Sequence, residues 1–314
     1  MPSRNSIGPT MVPLNRLADW RLSDADFLKK IESSGTAEKF TELRRRHPLP
    51  REQRIVFHEG PHKYEVDGIT VPRSATSLIH SYCPAPFDPA TALASMKAAK
   101  RAQFINDADG RQITDEEVLA SWTTNGQVAS ARGTLLHYHA EACCNGIAVE
   151  PPHSPDFKMI IRLVDALQEM GYTPFRTELC VIHLGLCCAG QIDALFRREC
   201  DASLALIDWK RSKVTFDKCF RSLRPPLEHV PDCNGFLYML QLALYKYICE
   251  SEYGLTIDSL FLGVVHPTQE KPRLIRMPYM REEIEMVVED QIAKGFAVSA
   301  AIPGATTPFR LPTL

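Results

Sequence analysis

The chain has 314 residues, of which 45% are hydrophobic and 24% charged, with a formal net charge of −2. That length allows a sizeable buried core, in one large domain with appendages or in two small ones, and the composition is ordinary for a soluble globular protein. No run approaches the ~20 apolar residues of a membrane helix, which argues against a spanning segment, while the near-neutral balance still permits a local basic surface for nucleic acid.

Residues 1 to 50 read as a helical N-terminal extension with a Pro-containing start and two short helical patterns, Asp24 to Glu32 and Thr36 to Arg46. The first eighteen residues carry Arg4 and Arg16 with no acid, a bias shared with organelle transit peptides, but three prolines and little amphipathic pattern argue against that reading. From Arg54 the pattern turns to strands: Ile55-Val56-Phe57, then His62 to Val66, the turn pair Asp67-Gly68, and Ile69-Thr70-Val71. Ser74 is placed to cap a helix running to Tyr82. Helices are expected over Pro89 to Ala102 and Thr114 to Trp122, the second opened by Thr114 and Glu117 at capping-box spacing.

A longer helix is expected from Gln127 to the Asn145-Gly146 stop, and another from Ser154-Pro155 to Gly171. Three strands follow, Arg176 to His183, Ala189 to Arg197 and Leu204 to Lys210, then a basic loop of about 25 residues and a strong helix, Phe236 to Glu250. Ser259 to His266 and Leu274-Ile275-Arg276 read as strands, Arg281 to Gly295 as the last helix, and the tail from Pro303 as loose. The expected organisation is an extension at 1–50, a hairpin with helices packing on the core at 51–125, the core at 126–300 and a tail at 301–314.

Ten cysteines are scattered, several in apolar stretches and without C-x-x-C spacing, so they are expected as buried free thiols in a reducing, intracellular compartment, nucleus or cytoplasm ahead of mitochondrion.

Three acids fall at equal intervals: Glu178, Asp193 and Asp208. A hairpin turning at Cys200-Asp201 sets Asp193 opposite Asp208, and one turning at Gly185-Leu186 sets Glu178 opposite Asp193. Directly opposed residues lie about 5 Å apart, so the expected result is a row of carboxylates on one sheet face. Like charges so placed repel, and a shared divalent cation removes the conflict. Lys210 stands two residues after Asp208, on the same face of the strand, where an ammonium reaches the metal's water or a phosphate. Trp209 between them points into the core.

Upstream, His137 and Glu141 lie one helical turn apart and present an imidazole and a carboxylate to one cation, while His139 reads as structural. Gly133, costly in a helix interior, is expected to serve close packing or backbone approach. Downstream, Tyr238, Gln241 and Tyr245 share a helical stripe, from which Gln241 and Tyr245 are expected to flank the acids and touch the substrate backbone. Between Arg197 and Arg224 eight basic residues face four acids.

Taken in order, Gly133-Thr134-x-x-His137, Glu178, Gly190-x-x-Asp193, Asp208-x-Lys210 and Gln241-x-x-x-Tyr245 resemble the RecB-type branch of the PD-(D/E)XK nuclease superfamily, over about residues 126 to 270. His62-x-Tyr64-x-Val66-Asp67-Gly68 with Ser74-x-Thr76 is similar to the segment before the core in mitochondrial genome-maintenance exonucleases and related phage and viral nucleases. The resemblance implies an α/β (mixed α+β) fold, a restriction-endonuclease-like core with a central mixed sheet flanked by helices, and one or two Mg²⁺ or Mn²⁺ ions in its cleft. By position it implies His137, Asp193 and Asp208 as metal ligands, with Asp193, Asp208 and Lys210 as the catalytic set. Glu141 and Glu178 are further ligand or support positions, and Gln241 and Tyr245 position the substrate.

Ile192 stands where the superfamily's name has proline, and Asp208 where it often has Glu. Only Cys249 follows the Gln-Tyr motif closely, so no iron-sulfur cluster is expected. The implied activity is metal-dependent hydrolysis of DNA, as an exonuclease, with Arg211, Lys213, Lys218, Arg221 and Arg224 holding the strand by its phosphates. Two other classes compete: a nucleic-acid-binding module on the same fold without turnover, and an interaction protein organised by zinc on Cys and His.

Overall fold

The computed structural model describes residues 40–58, 61–106, 109–147, 155–217, 219, 221–266 and 268–295. The patterns at Asp24 to Glu32, the Ser154 cap and the tail from Pro303 lie outside them. The chain divides into two compact units, whose described parts are Pro86–Leu135 and, separately, residues 40–85 with Leu136 onward.

In the larger unit, helix α1 (Glu42–Arg46) and a 3-10 turn (Pro50–Arg54) lead into an antiparallel meander of β1 (Ile55–His58), β2 (Lys63–Val66) and β3 (Ile69–Thr70). Asp67 and Gly68 both take positive φ, 51° and 82°, as a two-residue hairpin turn matched to strand twist requires. After β4 (Arg73–Ser74), helix α2 (Ala75–His80) opens with a full capping box, Ser74 and Ser77 each accepting the other's backbone N–H.

The smaller unit holds α3 (Pro89–Ala94), α4 (Ala98–Arg101) and the first two-thirds of α5 (Asp115–Cys144). Its core gathers Leu93, Ile113 and Val118, with Phe104 and Trp122 packed against it. Two expectations are corrected here. The helix expected over 89–102 breaks after Ala94, where Lys97 adopts extended backbone. The two helices expected around 114–122 and 127–144 are one helix of 30 residues. Thr123 to Gly126, the gap between the two expected helices, have poor helix propensities, but ending a helix and nucleating another exposes eight backbone groups, which costs more than carrying four weak residues. Gly133 sits in open space, where a Cβ would meet nothing within 4 Å, so close packing does not explain it.

The larger unit continues with α6 (Pro155–Glu169), β5 (Tyr172–His183), β6 (Cys188–Arg198), β7 (Leu204–Arg211), α7 (Asn234–Tyr253), β8 (Ile257–Val265), β9 (Arg273–Met277) and α8 (Arg281–Ala293). The strands form a six-stranded mixed sheet in the order β4-β6-β7-β8-β9, with β5 on the other edge of β6. β4 pairs with β6, and β7 with β8, in parallel; the remaining pairs are antiparallel. The protein is therefore a mixed α/β structure with helices around a central mixed sheet.

Apolar residues on both sides of the sheet explain the layering. On one side Leu179, Ile192, Leu206 and Leu262 meet Leu78 of α2, Leu240 and Leu244 of α7 and Val287 of α8. On the other, Phe196, Ile207, Trp209 and Phe261 meet Leu136 and Ala140 at the end of α5 and Ile160, Leu163 and Leu167 of α6. Each such Leu, Ile, Val or Phe side chain, fully buried, contributes about 1.5–3 kcal/mol of hydrophobic stabilisation. A third cluster joins Ile55, Tyr64 and Val66 of the meander to Cys180 and Ile182 of β5. No helix among the described residues is long and apolar enough to cross a membrane.

Cys219 and Cys233 form a disulfide with Cα atoms 5.3 Å apart, which corrects the expectation of free thiols throughout; the other eight cysteines are free. The bridge joins two parts of the basic loop that sequence reading left unstructured.

Candidate metal and catalytic centre

The strand registers are those the turn positions imply. β5 and β6 pair Thr177 with Ala194 and Leu179 with Ile192, which brackets Glu178 against Asp193. β6 and β7 pair as far as Ala194 with Ile207, one step short of Asp193 and Asp208. Beyond that step β6 takes β4 as its next partner, from Ala189, so the sheet opens between β6 and β7. Asp193 stands at the opening, and its Oδ2 accepts the Trp209 backbone N–H at 2.6 Å, a donor that a continued ladder would have used.

The expected flat row of carboxylates is not what results. Glu178 has φ +46°, outside extended geometry for a non-glycine residue, and Ile192 and Leu195 both enter the α7-side core, so the alternation slips at Asp193. These departures bring Glu178 and Asp193 to His137, which enters from the last turns of α5. His137 Nδ1 lies 3.5 Å from Asp193 Oδ1 and 3.9 Å from Glu178 Oε1. The three donors lie within 4.8 Å of one another.

Asp208, with its side chain only 3% exposed, stands beside this group and is engaged differently. Lys210 Nζ lies 2.8 Å from both of its oxygens, with hydrogen-bond geometry toward Oδ1 alone, and Gln241 Nε2 reaches the same Oδ1 at 3.4 Å. Burial, opposed by the Lys210 charge and reinforced by the Asp193 carboxylate, leaves Asp208 raised to about 6. Asp193 is raised as well, by burial against the pull of Lys210. Burial alone would lower Lys210, but the two carboxylates outweigh it and hold the ammonium charged. Burial, with the neighbouring Lys210 charge, pushes His137 down to about 4, so near pH 7 it offers a neutral ring.

Helix α7 covers this side of the site. Tyr245 is buried, and Gly190 of β6 makes room for it: a Cβ at 190 would meet the Tyr245 ring at 2.6 Å and its hydroxyl at 2.8 Å. Trp209 faces the other core, where Gly263 plays the same part. Glu141 lies one turn beyond His137 on α5, half-buried. His139 is buried and lowered to about 4 by desolvation, as a structural histidine would be.

Of the basic residues, Arg211 closes β7 and Lys213 is exposed just beyond it. Arg221 pairs with Asp232 at 3.3 Å and the Arg224 guanidinium bonds the Pro84 carbonyl; both residues are exposed. Lys218 lies outside the described residues.

Two tyrosines at the site escaped sequence reasoning as site residues. Tyr64 of β2 is buried near enough to Glu178 and Asp193 that burial and those carboxylates raise its hydroxyl. Tyr238 places its ring 5.1 Å from Lys210 Nζ. The helical spacing Tyr238-x-x-Gln241 was the available signal for the second; for Tyr64 strand alternation signals only burial.

No protein-family model and no curated protein matches this chain. A solved structure described as "Crystal structure of SSO0001" is 15% identical to it, with 70% of this chain and 84% of that chain covered and a TM-score of 0.27. A likeness at that level carries no argument about fold or activity.

Proposed function

We propose that this protein is a metal-dependent deoxyribonuclease of the PD-(D/E)XK type, RecB branch, that works as an exonuclease. The observation that carries the reading is the meeting of His137, Glu178 and Asp193 beside the buried Asp208–Lys210 pair. The donor set fits a hard divalent cation. It combines carboxylate oxygens with a neutral imidazole, and buried carboxylates whose charged forms are disfavoured gain from a neighbouring cation.

His137, Glu178 and Asp193 would hold Mg²⁺ or Mn²⁺, with Asp208 at the edge of the same site. The bound ion supplies Lewis acidity, which activates water and offsets charge on the phosphate and the leaving oxygen. The chain's own residues do the rest. Asp208 and Gln241 aim the Lys210 ammonium, which is held charged and so stabilises developing negative charge and orients a water by donating to it. Asp193 ties the metal-binding edge to β7 through Trp209, which keeps the two halves of the site in one geometry. Arg211 and Lys213, at the end of β7, neutralise backbone phosphates without reading bases.

The test uses end-labelled linear and closed circular DNA, single and double stranded, with Mg²⁺ or Mn²⁺. Cleavage of linear forms only is expected, lowered at least ~10²-fold in Asp208→Ala and in Lys210→Ala. Undiminished cleavage by both variants would sink the assignment, and cutting of closed circles would replace exonuclease with endonuclease.

A further inference from the structure

We infer that Tyr238 is a positioning residue for Lys210, a role that rests on the nuclease reading above and adds to it. Tyr238 and Gln241 are three residues apart on α7 and share a helical face. Gln241 reaches the carboxylate of the Asp208–Lys210 pair, at 3.4 Å, while the Tyr238 ring centroid lies 5.1 Å from the ammonium. One turn of α7 therefore addresses both members of the pair.

The chemistry follows from the nature of a lysine. Its ammonium ends a four-carbon stem with many rotamers and donates in three directions. Asp208 takes one of those directions and Asp193 attracts the same charge, so the carboxylates alone leave the ammonium a choice of positions. An aromatic face within about 6 Å attracts a cation through its quadrupole and removes part of that choice. Lys210 retains 20% exposure, so the attraction acts at the rim of the site, where water would otherwise compete. The ring also comes from a helix rather than a loop. Leu240, Leu242 and Leu244 of the same helix are fully buried, which anchors the backbone that carries Tyr238.

The ring, not the hydroxyl, carries this role, and the experiment separates the two. Steady-state cleavage of end-labelled linear DNA with Mn²⁺ is compared for wild type, Tyr238→Leu, Tyr238→Met and Tyr238→Phe, each checked for folding by urea denaturation. The Leu and Met variants are expected to lose about tenfold in kcat with KM within about twofold, and Phe to restore most of the loss. Two apolar variants are used so that misfolding of one leaves the other to decide. A loss confined to KM would make Tyr238 a substrate platform and overturn the inference, as would unchanged kcat in Leu and Met, or equal damage from Phe. Wild type that cleaves while these variants match it removes the Tyr238 role alone; wild type that does not cleave removes the nuclease reading and this role with it.

Discussion

The Asp193 carboxylate accepts the backbone N–H of Trp209 at 2.6 Å, one residue past the last paired position of β6 and two past that of β7. The side chain thus does what a backbone carbonyl would do in a closed ladder, and the space so opened is where His137 and Glu178 arrive. The carboxylate that lies within reach of His137 and Glu178 is at the same time the splice that holds the opened strands.

The two roles separate by substitution. Asp193→Asn removes a buried charge near Asp208 but keeps an oxygen that accepts from Trp209, so this variant is expected to be as stable as wild type or about 1 kcal/mol more stable. Asp193→Ala leaves the Trp209 donor unpaired and is expected to fall about 1–3 kcal/mol below the Asn variant. Both lose metal-dependent cleavage. Urea unfolding of the metal-free proteins checks the order, and Ala equal to Asn would show that the Trp209 bond contributes nothing.

Gly190 is held by a different constraint, since its backbone is not in the left-handed region and the close approach of Tyr245, with Ala75 Cβ next at 3.1 Å, excludes a side chain. Gly190→Ala is expected to cost about 1–3 kcal/mol by overpacking and to lower cleavage by displacing Tyr245 from the acids. Measuring the double variant with Tyr245→Leu tests the cause. A smaller penalty for Gly190→Ala in that background is expected, and an unchanged one would place the strain elsewhere.

In the smaller unit, Glu117 closes the capping box of α5: its carboxylate accepts the Thr114 N–H at 2.7 Å and pairs with Arg111. Arg111 first, then the Thr114 N–H, pull Glu117 down to about 2 from its ordinary 4.5. A carboxylate depressed in the folded state stabilises fully above the unfolded value and loses that contribution as pH falls through the folded one. The stability gap between wild type and Glu117→Gln is therefore expected to be present at neutral pH and to close between about 4.5 and about 2. Urea midpoints measured across that range check it, and a gap that persists at the acid end would mean that the charge is not the cause.

Much of the fold was legible because its signals are local. Asp67-Gly68, Ser74, Thr114 with Glu117, and the turns at Gly185-Leu186 and Cys200-Asp201 each act over two to four residues, and each stands where the pattern put it. The two strand registers followed from the turns alone. What failed was local signal applied where cooperativity decides, as in the weak stretch Thr123 to Gly126 that α5 runs through.

The acids divide along the same line. Sequence by itself determined the two strand registers, which bracket Glu178 against Asp193 and run to within one step of Asp193 and Asp208, and that Lys210 shares the face of Asp208 while Trp209 turns away, because strand geometry has a period of two and turns set its phase. Tertiary structure alone decided that His137 meets Glu178 and Asp193, while Asp208 is taken up by Lys210 and Gln241. That sorting depends on a positive φ at Glu178, an opened ladder at Asp193 and the approach of α5 and α7. None of these has a local sequence period, since each is settled by packing between segments far apart in the chain.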